Sequence, residues 1–187
     1  EGESVDEIGS NAILIVGRLD SNQRHKGHDQ LLEALPLITR DVPDSKLVVA
    51  GDGNDRARLE RKARDLGVEK NVLFTGHVSD ARLHALYENC SLFVMPSDGD
   101  GFGLVFLEAM MHGLPCVGLA ESAADEIFDQ GDCGVLVDRD DVEELAKTLS
   151  GLLQDGPLRI QVGEAGLTRY RSTFMGKHYS ERLRETL

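Results

Sequence analysis

The sequence predicts an α/β protein built on a doubly wound parallel sheet of about six strands, with helices on both faces. Two observations carry that prediction. Six short apolar runs alternate with stretches whose apolar residues recur every three or four positions, the helical period. Several of the runs are also apolar at every position, as in strands covered by helices on both faces. Such sheets bind ligands at the carboxyl ends of their strands, so the loops after the apolar runs are where function is sought.

The first strand is read at Ile13-Leu14-Ile15-Val16 and ends in Gly17-Arg18. A polar loop leads to Lys26-Gly27-His28 and a helix striped by Leu31, Leu32, Leu35 and Ile38. Leu47-Val48-Val49-Ala50 is the second strand. Gly51-Asp52-Gly53-Asn54-Asp55-Arg56 follows it as a tight turn and helix cap, before a stripe of Leu59, Ala63 and Leu66 that Gly67 ends. Arg56 stands where a dinucleotide fingerprint requires its third glycine, which disfavours a dehydrogenase.

Val72-Leu73-Phe74 is the third strand and runs towards His77 and Val78. Ser79 suits the N-cap of a helix carrying Leu83, Leu86 and Tyr87. Leu92-Phe93-Val94-Met95 is the fourth strand, and an amphipathic stretch after Gly103 stops at Gly113. The fifth and sixth strands are Pro115-Cys116-Val117-Gly118 and Gly134-Val135-Leu136-Val137. Asp141 with Glu144 resembles a capping box before Leu145, Leu149 and Leu152. Pro157 suits the first turn of a last helix running towards Tyr170.

Composition narrows the function. The 187 residues suffice for one domain able to bury roughly 70% of its extended surface without disulfide or metal. Against 20 Lys+Arg stand 33 Asp+Glu, a net charge of −13. That disfavours nucleic acid and anionic membrane as partners, since binding either needs a basic face. Cys90, Cys116 and Cys133 are odd in number and adjoin apolar runs, so buried reduced thiols and a cytoplasmic setting are expected. Residues 1–11 are polar and aperiodic and read as a linker remnant, with the domain at 12–187.

The segment Pro96 to Met110 is the most informative. Asp100 and Glu108 are carboxylates eight residues apart, with Gly101-Phe102-Gly103 between them. In a strand–loop–helix unit both face a ligand at the sheet edge, and the N–H groups of Gly103 and Leu104 are helix-start donors for an anion. Arg18 and Lys26 lie on a loop at the same edge. Acceptors for hydroxyls beside donors for phosphate suit a sugar nucleotide. Asp98 and Asp100 also form the D-x-D pair of a divalent-metal site, but two carboxylates need further oxygen ligands, and Glu108 fits the metal-free reading better. His77 and His28 adjoin the expected cleft as wall or helix-start residues.

These residues resemble the C-terminal, donor-binding half of the retaining group 1 (family four) glycosyltransferases, a Rossmann-like half of the GT-B architecture. The resemblance runs through Val16-Gly17-Arg18-Leu19, Lys26-Gly27, Gly51-Asp52-Gly53, Phe74-Thr75-Gly76-His77-Val78, Pro96-Ser97, Asp100 to Glu108, and Glu126. It implies that Arg18 and Lys26 hold the diphosphate of a nucleotide-sugar donor and that Asp100 with Phe102, Gly103 and Leu104 grips the transferred sugar and phosphate. Glu108 takes the ribose hydroxyls and Val78 flanks the base. No cofactor or metal is implied. The partners are the sugar donor, an unidentified acceptor and an N-terminal acceptor-binding domain that the 187 residues do not supply, through which the protein can be membrane-peripheral. Asp100 stands where the family usually carries Glu, and Ser122-Ala123-Ala124-Asp125 where it often shows a glycine pair. A nucleotide-binding module without turnover, or half of a sugar-nucleotide epimerase, are the alternatives.

Overall fold

A computed structural model describes residues 8–98 and 103–176. Asp100 and Phe102 therefore lie outside the described residues. Six parallel strands, β1 (Ala12–Val16), β2 (Lys46–Ala50), β3 (Val72–Gly76), β4 (Leu92–Met95), β5 (Cys116–Leu119) and β6 (Val135–Val137), form one sheet in the order β3-β2-β1-β4-β5-β6. Every neighbouring pair is parallel. Chain order reverses between β1 and β4, the crevice where a doubly wound sheet receives a ligand.

The helices are α1 (His28–Asp41), α2 (Arg56–Asp65), α3 (Asp80–Asn89), α4 (Leu104–Met111), α5 (Ala123–Ile127), α6 (Val142–Gln154) and α7 (Gly156–Arg169). Stripes from α1, α2 and α6 cover one face of the sheet, where Leu31, Leu35, Leu59 and Leu149 meet Ile13, Val49 and Val117. On the other face, α3, α4 and α5 bring Leu86, Phe106 and Ile127 against Leu14, Val48 and Phe93. Phe106 stands edge-on to both Phe93 and Phe128, with ring centroids 5.4 and 5.0 Å away. Both surfaces of the central strands are thereby sealed, and β4 is buried at all four positions.

The ends of these elements follow local chemistry. Ser79 caps α3, its hydroxyl accepting from Arg82 N at 3.2 Å, and Asp141 caps α6 by accepting from Glu144 N at 2.8 Å. The capping box is only half formed: the Glu144 carboxylate accepts instead from Asp138 N, at 3.2 Å. Asp55 departs further from its expected role. It precedes α2 but makes no side-chain cap bond, because its carboxylate is gripped by Arg24 and Arg58. Pro157 lies in the first turn of α7, and the chain passes through one π-helical turn at Tyr170–Phe174 that buries both aromatic ends. No helix among the described residues is long and apolar enough to cross a membrane. All three cysteines are buried and free.

Candidate functional site

The site is built on the loops that leave β1 and β4, adjacent strands on either side of the reversal. Arg18 follows β1 by two residues and is exposed, with no ion-pair partner among the described residues. The loop then returns through a 3-10 turn at Arg24–Lys26 and lays the Lys26 chain back over the end of β1. Its ammonium nitrogen is 3.4 Å from the point where a Cβ on Gly17 would stand. Both cations predicted to meet a diphosphate are therefore at the carboxyl edge of β1.

Gly27 is what allows this return. Its φ of 88° is left-handed, and a side chain there would overlap Pro96, the first residue past β4. The start of α1 is thus pressed directly onto the β4 loop. Underneath, Gly51 N–H bonds Gly76 O at 3.0 Å while its α-carbon abuts the Gly17 carbonyl, with no room for a methyl group. Leu19 N–H bonds Asp52 O at 3.0 Å. The Gly51-Asp52-Gly53 turn is thereby a floor for the β1 loop.

Across the crevice, α4 begins after Gly103, whose φ is 64° and which has no side-chain cap. Uncapped amides at a helix start carry partial positive charge and suit an anion. Gly103 and Leu104 occupy the predicted positions at this start, on the opposite face of the sheet from α1. Glu108, one turn in, is half-buried and accepts from the Tyr87 hydroxyl at 3.0 Å. Val78, between β3 and α3, is half-buried against the same apolar cluster as Leu83 and Leu104. His77 beside it is exposed.

Other expectations resolve differently. Asp98 pairs with Arg139 from the loop after β6, so that carboxylate already has a cation. His28 does stand at a helix start, as expected, as the first residue of α1. It is buried, and burial, with Lys26 next, pushes its pKa down to about 4. Where a glycine pair is often found, Ser122 caps α5, its hydroxyl bonding Ala124 N at 3.1 Å and Leu119 O at 2.7 Å. Glu126 is exposed on α5.

The sequence reading missed two groups. One is the Tyr87–Glu108 bond, whose only signal was a polar-tipped ring on an otherwise aliphatic stripe, since a buried phenol needs a partner. The other is the histidine pair behind it. His112 stacks on Tyr87 at 5.5 Å and 13°, and its Nε2 lies 2.9 Å from His84 Nδ1. Burial and then His84 lower the His112 pKa.

Comparison with known proteins places this arrangement. A GDP-mannose-dependent alpha-(1-6)-phosphatidylinositol monomannoside mannosyltransferase of Mycolicibacterium smegmatis is 36% identical over 148 residues, covering 75% of this chain and 39% of that protein. A D-inositol 3-phosphate glycosyltransferase of Corynebacterium aurimucosum is 34% identical over 161 residues, covering 83% and 38%. The chain thus spans about two fifths of the length of these curated relatives. Among solved structures, the C-terminal domain of a glycosyl transferase group 1 family protein (LpcC) from Francisella tularensis superposes with a TM-score of 0.78 at 25% identity, covering 89% of this chain and 87% of that one. Residues 4–169 match the glycosyl transferases group 1 family as a whole, and the chain belongs to that family.

Proposed function

We propose that this chain is the donor-binding half of a retaining glycosyltransferase, which takes a sugar from a nucleotide-diphosphate donor to an acceptor held by a separate domain. The observation that supports it most is the convergence at the β1–β4 reversal. Arg18, Lys26 and the start of α1 stand on one side, and the start of α4 with Glu108 on the other. Breaking a sugar–phosphate bond develops negative charge on the departing diphosphate. Fixed cations and helix-start amides aimed at that charge lower the barrier without a metal ion.

In this reading Arg18 and Lys26 hold the diphosphate, Glu108 accepts the ribose hydroxyls, and Val78 flanks the base. Gly103 and Leu104 donate to phosphate or sugar, and Asp100 and Phe102, which precede them in the sequence, share that task. Neither the base nor the acceptor is fixed by these contacts. The mannosyltransferase relative is named for GDP-mannose, and GDP is accordingly the first nucleotide to test.

Thermal unfolding with UDP, GDP and ADP tests the site directly. One of the three is expected to raise the midpoint, and Lys26→Ala and Glu108→Ala are each expected to weaken that nucleotide by roughly tenfold. Unchanged affinity in both variants overturns the assignment. In the full-length protein, transfer is expected to survive a chelator. Loss of activity with EDTA that manganese restores returns the metal role to Asp98 and Asp100.

A further inference from the structure

We propose that Tyr87 is a positioning residue for the ribose: it holds the Glu108 carboxylate in the orientation that receives the two ribose hydroxyls. This rests on the donor-binding reading and adds a residue to it. Tyr87 is on α3 and Glu108 on α4, so their bond ties together two helices on the same face of the sheet. The tyrosine is itself immobilised. It is 2% exposed, stacks on His112, and lies tilted at 54° against Phe93 with centroids 6.0 Å apart. His112 is in turn 2.9 Å from His84, which closes a rigid wall behind the ring.

From that wall the hydroxyl donates to Glu108 Oε2 at 3.0 Å. A glutamate one turn into a helix otherwise samples several rotamers, and fixing it on binding costs affinity. A carboxylate offers about four lone-pair positions, and the phenol bond occupies one of them. Asp80, Leu83 and His84 line the small recess that Tyr87 and Glu108 share, which places this bond beside the base-flanking loop.

The test uses this chain with UDP, GDP and ADP and with their 2′,3′-dideoxy counterparts, by calorimetry. In the unmodified chain the ribonucleotide binds more tightly than its dideoxy form. Tyr87→Phe keeps the ring and its stacking, and is expected to weaken the ribonucleotide by roughly fivefold, the scale of one side chain left to be ordered on binding. Its dideoxy affinity is expected to stay within about twofold, because the hydroxyls that Glu108 serves are gone. A parallel fall in both affinities assigns Tyr87 to the fold alone and overturns the proposal. So does a Tyr87→Phe chain with unchanged ribonucleotide affinity while Glu108→Ala loses it. If Glu108→Ala alone loses nothing, Glu108 does not serve the ribose and the proposal is overturned; if Lys26→Ala loses nothing either, or no nucleotide binds, the donor-site reading itself falls and takes this one with it.

Discussion

Arg58, on α2, lies between the carboxylates of Asp29 and Asp55, whereas Arg18, just past β1, is exposed and has no ion-pair partner among the described residues. The two arginines differ in what surrounds them, not in chemistry. Arg58 donates to Asp29 twice at 2.7 Å and to Asp55 at 2.6 Å, and Arg24 and Lys62 with Glu33 extend the lattice across α1 and α2. Those charges cancel one another and hold two helices together. Arg61 and Arg64 on α2 are exposed as well, and what sets Arg18 apart from them is its place at the carboxyl edge of β1. Arginine's planar fork suits a phosphate as well as a carboxylate.

Removing Arg58 is the strongest way to break this comparison. Arg58→Ala leaves Asp29 and the nearly buried Asp55 without their shared cation. It is expected to destabilise the fold by about 3 kcal/mol in urea unfolding, the low end for a buried pair, because the guanidinium keeps some contact with water. Nucleotide affinity is expected to be unchanged once the protein is folded. A loss of affinity without loss of stability reverses the roles assigned to the two regions.

Acid probes the same lattice more gently. Arg58 is the chief reason the Asp29 pKa is drawn down to about 2, and burial is the chief reason His28 falls to about 4. Both native values lie below the unfolded ones, so the unfolded chain binds the extra proton and stability falls with pH. The histidine contribution is full above about pH 6.5 and is lost by about pH 4; the aspartate contribution is lost between about 4 and 2. About 3 kcal/mol is expected to go between pH 7 and 4, measured by urea unfolding. His28→Gln is expected to flatten that segment and leave the lower one.

Arg18→Ala sharpens the other side. Stability is expected to change by less than about 0.5 kcal/mol, as for most surface positions. Affinity for a nucleoside diphosphate is expected to fall roughly tenfold, and that loss to shrink at high salt. An arginine that contributes to neither quantity is an ordinary surface charge.

All six strands were legible because a short run of three or four largely apolar residues between turn signals has few other readings in an alternating chain. Their edges were less so. β5 begins at Cys116 rather than Pro115, whose missing N–H keeps it from donating to a ladder, although its carbonyl accepts from Phe93 N at 2.9 Å. Local caps were readable at Ser79 and Asp141, since each depends on a residue three positions away. Asp55 was misread because the cap competes with two arginines: Arg58, three positions on, was within reach of a local reading, but Arg24 is 31 residues distant. The same limit hid the contacts of Asp98 with Arg139 and of Tyr87 with Glu108, 41 and 21 residues apart. Periodicity reports which face a side chain takes, and it carries nothing about which partner the fold brings to meet it.

The burial of Cys90, Cys116 and Cys133 has a practical consequence. Desolvation raises all three thiols above their ordinary range, Cys90 to about 12, so each is protonated and a poor nucleophile near neutrality. A cysteine introduced at exposed His77 therefore becomes the one fast-reacting thiol in the chain. If the donor binds beside Val78 as proposed, a maleimide dye attached there is expected to report its arrival without any native cysteine first having to be removed.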